Sequence, residues 1–497
     1  MSKQHSNYTS ILKSTSLFGA VQVFNILISV VRSKVIAIWV GPTGMGIIGL
    51  LSSALSVVSE VTRLGLDTTA VREIALSKNK DDENDAHLVV ATIRKVVWFT
   101  GLLGVIATIV LSPLLSQFAF HNYEYTIAFI WVSLSLLFNQ LTAGQLAILQ
   151  GFRKLKLLAK ANLLGNFIGL LVSLPLYYVF RLDAIVPVII LSSFVSLIVS
   201  WFYSNKLKFK ALKLSNKEAY KQAKTMLNLG LMLSLRGSIT LIAAYIFQLY
   251  LSKAGGIDVV GYYIAGFMII NSYVGMVFNA MQTDYFPKLS EIIHSEEKIN
   301  ATVSQQAVIG ILLIGPLVIG FLSFLPIIVK LLYSKEFLVI IGFLSWAILG
   351  ILFKTLSWSM GYVILAKGDS KLFIKTATFF STLMLTLNIL GYYFYGLEGL
   401  GISYLIYYII HFTGLKIITF KFYKVQLNTE VWTIFIILLC LSLAAFGATF
   451  INDELYKYIV CSLLIIVSMA YSYHQLNKRV NFQGLWKRFF NKNKNNK

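Results

Sequence analysis

The stretches "VGPTGMGIIGL", residues 40–50, and "AGGIDVVGYY", residues 254–263, carry the same punctuation. Gly41 and Gly46 in the first are answered by Gly256 and Gly261 in the second, 215 residues later. The match extends outward on both sides. Pro113 in "LSPLLSQF" corresponds to Pro326 in "FLPIIVKLL", and Gly151 in "AILQGFRKL" to Gly368 in "VILAKGDSKL". The run Tyr177, Tyr178, Leu182, Asp183 corresponds to Tyr392, Tyr393, Leu397, Glu398. The offset stays between 213 and 217 over about 140 residues, which chance matches among apolar segments would not do. The chain is therefore read as a duplication. Duplicated helical bundles with a site between the halves are a common build of secondary transporters.

Composition places the chain in a bilayer. Hydrophobic residues make up 57% and charged residues 13%, with a mean hydropathy of +0.74, whereas soluble domains carry roughly 25% charged residues. Apolar runs near the length of about 20 residues needed to cross the hydrocarbon core recur at 13–40, 45–66, 90–116, 125–149, 157–180, 184–203, 226–251, 258–281, 303–329, 338–365, 372–395, 399–420, 431–450 and 457–475. They predict 14 transmembrane helices in an all-α polytopic membrane protein. Barrel strands are excluded because the runs lack alternation. The first run has no small-residue cleavage site and is read as a retained helix, not a signal peptide.

The net charge of +22 would suit nucleic acid if it formed a patch, so its placement decides. With the N-terminus in the cytoplasm, the inner segments hold 33 Lys and Arg and the outer loops 5. This asymmetry is the positive-inside rule; it puts both termini in the cytoplasm of a bacterial inner membrane and leaves nucleic acid as a poor alternative. The predicted organisation is a six-helix lobe at 1–205, a basic linker at 206–225 and a second six-helix lobe at 226–424. An additional two-helix hairpin at 425–476 and a basic tail at 477–497 follow. Six is even, so the lobes share an orientation and a pseudo-twofold axis should run along the membrane normal, with a central cleft. The basic segments can also meet anionic membrane lipids.

No Walker loop, HExxH or GxSxG occurs, and no cofactor or metal is expected. "SKNKDDENDAH" reads as a solvated loop, and Cys440 and Cys461 as packing residues. His411 reads as a buried, hydrogen-bonded side chain. Charges inside apolar runs carry more information. Arg236 lies about ten residues into its span, roughly 15 Å deep at 1.5 Å per residue. Lys354 in "LFKTLSWSMGYVIL" is equally central. Arg32 and Lys34 lie in helix 1, and Glu60 and Arg63 in helix 2. A central cation costs about 2.5–3.5 kcal/mol on insertion scales, so such residues face a watery cavity or a partner. Glu60 and Arg63, spaced i, i+3, either neutralise one another or face the cavity, and Lys34 reaches either the headgroups or the cavity. Converging cations favour an anion, with Arg suited to phosphate. Trp358 can cover a sugar ring or pack between helices; Asn139 and Gln145 are candidate sugar contacts. Asp67 and Asp284, with Glu60, are candidate coupling or gate groups, or plain solvated caps. Pro316 and Pro326 mark a candidate hinge in helix 9.

At these motifs the chain resembles the Wzx-type polysaccharide translocases of O-antigen and enterobacterial common antigen. These belong to the multidrug/oligosaccharidyl-lipid/polysaccharide exporter superfamily. The resemblance rests on "VGPTGMGIIGL", "LQGFRK", "YFPKLSEI" and "LLYSKEF" through "LFKTLSWSMGYVILAKGDSKLF", and spans roughly residues 10 to 425. Lys354 and Lys34 fall on positions that are basic in that family, whereas Arg236 and Arg63 do not match its pattern. Family members commonly have 12 helices, so the terminal hairpin is a departure. The resemblance implies a flippase, not an enzyme, moving undecaprenyl-diphosphate-linked oligosaccharide by alternating access. A polysaccharide polymerase and chain-length proteins would be its partners. A lipid II flippase, a multidrug/cation antiporter and a membrane glycosyltransferase or polymerase are the alternatives. The antiporter would want acidic and aromatic cavity walls, and the glycosyltransferase large outer loops.

Overall fold

The computed structural model describes residue 21 and residues 24–78, 83–209 and 214–479. Among these residues there is no strand, and each of the fourteen apolar runs lies on helix. The helices are α1 (24–39), α2 (Gly41–Arg63), α3 (Leu66–Lys78), α4 (Glu83–Phe120), α5 (Thr126–Gly151), α6 (Leu155–Phe180) and α7 (Ile185–Asn205). There follow α8 (Asn216–Gly255), α9 (Ile257–Met268), α10 (Met276–Glu291), α11 (Glu296–Leu332), α12 (Ile341–Ala366), α13 (Ser370–Tyr423), α14 (Thr429–Ala448) and α15 (Glu454–Arg479). A π-helical segment, Ile269–Val274, joins α9 to α10.

Nine helical segments among the described residues are long and apolar enough to cross a bilayer. Two of these hold two crossings each. Leu155–Asn205 contains α6 and α7, and Ser370–Tyr423 reverses at Gly396, whose φ of 57° makes the turn. With α1, α8 and the α9–α10 pair the expected fourteen are reached. The chain is a multi-pass membrane protein. Large apolar side chains such as Phe99, Val110, Tyr393 and Leu463 stand exposed, as lipid contact requires.

Helix extends further than the apolar runs do. The segment read as a solvated loop after helix 2 is largely helical, since α3 reaches Lys78 and α4 begins at Glu83. An apolar run measures the hydrocarbon crossing, whereas a helix continues wherever its backbone bonds can be met. Residues 79–82, with Asp81 and Asp82, and the tail residues 480–497 lie outside the described residues. Starts are set locally. Ser215 and Glu218 form a reciprocal cap on α8, and the Asp369 carboxylate accepts the Leu372 backbone N–H at 3.0 Å to open α13.

Packing divides the chain into two compact units, Met1–Ala265 with Leu331–Phe337, and Gly266–Lys330 with Leu338–Lys497. In the first, α4 packs on α5, α5 on α7 and α6 on α7, while α8 lies across α2, α3 and α4. The helix that opens the second sequence repeat therefore packs with the first. The division at 1–205 and 226–424 follows the duplication, and this packing boundary falls inside α9. In the second unit α12 packs on α13, α10 and α14. The hairpin outside the repeat seats Phe435 of α14 edge-on against Phe353, 5.2 Å between ring centroids. Tyr458 of α15 stacks on Phe324 of α11 at 6.1 Å. Cys440 is exposed and Cys461 buried, both as free thiols.

Within the first unit the repeat motifs meet each other. The Thr43 hydroxyl donates to Asp258 Oδ1 at 2.5 Å, and these two positions are 215 residues apart. A Cβ at Gly46 would lie 2.1 Å from the Ile257 carbonyl oxygen, and one at Gly261 2.0 Å from that of Pro42. Only glycine permits this approach, and each glycine meets the repeat-equivalent of what the other meets. Gly41 and Gly256, at φ 72° and 86°, lead into the two helices in the same left-handed conformation. The start of α2 and the start of α9 thus pack as a pseudo-twofold, self-complementary contact.

Candidate functional site

Lys354 is the fourteenth of the 26 residues of α12. Its Nζ donates to Asn271 Oδ1 at 3.1 Å and to the Tyr404 hydroxyl at 3.4 Å. The Phe278 and Tyr408 rings lie 5.6 and 5.5 Å from the ammonium, within range of a cation–π attraction. Asn271 sits in the π segment, where an extra residue per turn shifts the register that an unbroken helix would give. Its Nδ2 donates to the Phe267 carbonyl at 3.3 Å, which leaves Oδ1 for Lys354. Tyr404, Tyr408 and His411 follow one face of the second half of α13. Among the described residues no carboxylate pairs with Lys354. The ammonium is held by neutral oxygens and ring faces.

Around this centre the aromatic side chains are packed. Trp358, one turn on, stacks at 5.5 Å on Tyr285 and lies 4.9 Å from Tyr362 and 5.6 Å from Phe278. Its indole is engaged between α10 and α12. His411 stacks on Tyr407 at 5.3 Å and meets Phe380 edge-on at 4.4 Å. Its Nδ1 has no hydrogen-bond partner, so any hydrogen bond of the kind expected from the sequence would fall to Nε2.

In the first unit the candidate cations point different ways. Lys34 Nζ donates to the Tyr333 carbonyl, and the Tyr333 hydroxyl in turn to that of Ala265 at 2.9 Å. Arg32, two residues earlier, turns toward α6, with Nη2 3.9 Å from where a Cβ of Gly169 would sit and Nε unpartnered. Arg63 pairs with Asp67 at 3.5 Å and donates to Ser59 Oγ at 3.2 Å. The i, i+4 partner, one turn away along α2 into α3, takes the guanidinium in place of Glu60. Glu60 lies over Gly237 of α8, where a Cβ would come within 2.3 Å of its Oε1. Asp67 also accepts the Thr68 N–H at 3.0 Å. Arg236 and Asp284 lie on α8 and α10, and their side chains lie outside the described residues.

The polar residues of α5 do not share a face. Asn139 is exposed, Gln140 donates to Thr100 Oγ1 at 3.0 Å, and Gln145 is buried beside α4 and α7. Pro316 and Pro326 both lie in α11, whose backbone leaves helical dihedrals at Phe324, two residues before Pro326. Sequence reasoning passed over Asn271, Tyr404 and Tyr408. It also passed over the crossing of α2 and α8, where a Cβ at Gly230 would lie 1.8 Å from the Leu64 carbonyl oxygen. The i, i+4, i+7 spacing of Tyr404, Tyr408 and His411 was the signal available for the first group.

A family model described as "Polysaccharide biosynthesis protein" matches residues 35–342. The chain belongs to the polysaccharide biosynthesis protein family. The matched region takes in Lys34's neighbours, the repeat motifs and the α9–α10 segment that carries Asn271. Among solved structures, lipid II flippase MurJ in an inward closed conformation superposes with a TM-score of 0.67 at 16% identity. That match covers 93% of this chain and 99% of MurJ. An inward-facing multidrug resistance MATE transporter of the MOP superfamily gives 0.60 at 17% identity, over 80% of this chain and 94% of its own. A Vibrio cholerae MATE transporter gives 0.58 at 16%, over 83% and 97%. No curated protein matches the chain. This polysaccharide biosynthesis protein thus shares the fold of the MurJ flippase and the MATE transporters.

Proposed function

We propose that this polysaccharide biosynthesis protein is a flippase for an undecaprenyl-diphosphate-linked oligosaccharide, the unit of a surface polysaccharide such as O-antigen. It would carry that unit from the cytoplasmic to the outer leaflet by alternating access. The observation that carries the reading is Lys354, an ammonium at the middle of a membrane helix, held by an amide and tyrosine oxygens with no carboxylate pairing among the described residues. A cation kept in this way serves a diphosphate and repels a cationic drug. Arg236, Arg32, Arg63 and Lys34 are proposed as further cations along the route, and Asp67, Asp284 and Glu60 as gate or coupling groups.

The 33-to-5 distribution of basic residues supports both termini in the cytoplasm of the bacterial inner membrane. With an inside-negative potential, outward movement of an uncompensated anion gains about 2.3 kcal/mol per charge per 100 mV. A coupling ion is therefore not required by energetics. A polymerase and chain-length proteins would take the product on the outer side.

The test is restoration of surface glycan in a strain lacking the protein. Lys354→Ala should abolish display while the protein stays in the membrane, with peptidoglycan synthesis and drug tolerance unchanged. Full display from Lys354→Ala at normal protein level would sink the proposal. Rescue of a strain depleted of its lipid II flippase, without rescue of glycan display, would move the assignment to lipid II.

A further inference from the structure

A cavity of about 210 Å³ lies within the second unit, lined by α11, α12, the reversal of α13 and the terminal hairpin of α14 and α15. It shares no residue with the Lys354 site. From α12 and α13 come Trp346 and Glu398, the indole Nε1 donating to the carboxylate Oε1 at 2.9 Å. From the hairpin come Thr449 and Lys457, the ammonium Nζ donating to the Thr449 carbonyl at 3.2 Å. Phe446 of α14 joins the two groups, its ring 4.6 Å from that of Trp346. Glu398 and Lys457 thus line one small space and make no ion pair with each other. Each keeps capacity to spare, since a carboxylate has about four lone-pair sites and an ammonium three donors.

The two charges narrow the class of ligand. A simple anion would meet Glu398 and a simple cation Lys457, whereas a zwitterion meets both with its opposite sign. Position narrows it further. Glu398 falls between two apolar runs and Lys457 at the start of another, so both lie at the level of lipid headgroups, where tryptophans such as Trp346 are common. The volume is below the roughly 300 Å³ at which pockets for drug-sized ligands begin, so it suits a headgroup and not its tails. Phe450 in the lining and Ile327, next to the lining residue Pro326, stand exposed and leave apolar surface for acyl chains. The cation must carry N–H groups to hydrogen-bond Glu398, which a quaternary ammonium cannot supply.

We propose that this cavity binds one zwitterionic glycerophospholipid with a primary ammonium, of the phosphatidylethanolamine class, its phosphate on Lys457 and its ammonium on Glu398. The inference is separate from the transport reading, because it concerns a resident lipid and not cargo. It also gives the hairpin outside the repeat a task, since the lipid would be held between that hairpin and the Pro326 end of α11.

Native mass spectrometry of the purified full chain, released from micelles doped with equal phosphatidylethanolamine, phosphatidylglycerol and phosphatidylcholine, tests it. The wild type should retain one phosphatidylethanolamine about fivefold over either of the others. Glu398→Gln leaves only the cation and should turn the preference toward phosphatidylglycerol. Lys457→Gln leaves only the carboxylate and should lose retention of all three. The glutamine at 398 still offers an oxygen to the Trp346 N–H, so this variant should fold, and a gain of phosphatidylglycerol is a result that misfolding does not give. Equal retention of the three lipids by the wild type overturns the proposal, as does an unchanged preference in both variants. Displacement of the bound lipid by an equimolar, lipid-free oligosaccharide would also overturn it and assign the cavity to glycan.

Discussion

Lys354 shows how one residue is specified by neighbours that the sequence does not flag. A lysine inside an apolar run is conspicuous because a central cation is costly, so its importance is legible. Its partners are not, since asparagine and tyrosine are ordinary in such helices and the π turn that presents Asn271 adds a residue without leaving a pattern. We expect Lys354→Ala to lower glycan display at least tenfold, Lys354→Arg to keep part of it because the charge survives, and Asn271→Leu to fall between, read by surface labelling against protein level. The glycines at the α2–α8 crossing predict a different outcome. Gly230→Ala places a methyl group 1.8 Å from the Leu64 carbonyl oxygen, and overpacking of this kind costs about 1–3 kcal/mol. It should lower thermal stability in detergent even without substrate; an unchanged melting point would show that the helices move apart freely. Arg63 carries the converse lesson. Sequence spacing offered Glu60, and the structure pairs the guanidinium with Asp67, because the chain turns at Leu64 and Gly65 and brings the next helix's carboxylate within reach.

Among the elements, α11 joins sequence to motion most directly. Proline at 326 removes the N–H that would bond the carbonyl of residue 322, and the backbone departs from helix at Phe324, with φ −114° and ψ 17°. Around Pro316 the dihedrals stay helical. Two prolines in one helix were legible as a candidate hinge; which of them bends it was not, because that depends on packing. We propose that the bend at Phe324 changes between inward-open and outward-open states. Pro326→Ala should then slow transport more than Pro316→Ala, measured as the rate at which labelled lipid-linked glycan reaches the outer leaflet of proteoliposomes; the reverse order would place the hinge elsewhere. At the start of α8, the Ser215 backbone N–H reaches Glu218 at 2.8 Å and the hydroxyl accepts the Glu218 N–H at 3.2 Å. These bonds hold the exposed Glu218 carboxyl below the usual carboxylate range, the backbone bond contributing most. The capping contribution is therefore present above about pH 4.3, the unperturbed value, and is lost as pH falls through the lowered one. Ser215→Ala should cost about 1 kcal/mol of local helix stability, seen as roughly fivefold faster amide exchange in the first turn of α8.

At the scale of the molecule, fourteen crossings and an all-helical fold followed from apolar length and the absence of alternation. The packing units did not follow, because duplication records where segments came from and packing records what they now touch. The topology prediction belongs here. Reporter fusions after Asn205 and Lys497 should report cytoplasm and one near Asn122 the outer side, as the basic loops require. A periplasmic signal from the Asn205 junction would contradict the shared orientation of the two repeats.

The contact between the starts of α2 and α9 also records history. In a homodimer of the unfused ancestor, a residue on the twofold axis would have faced its own copy. Glycines flanking the axis survive that condition, as Gly46 against Ile257 and Gly261 against Pro42 still do. A threonine hydroxyl donating to an aspartate does not, since symmetry would set two hydroxyls or two mutually repelling carboxylates face to face. The Thr43–Asp258 bond therefore belongs to the fused chain alone: fusion let the two sides of one seam take different residues.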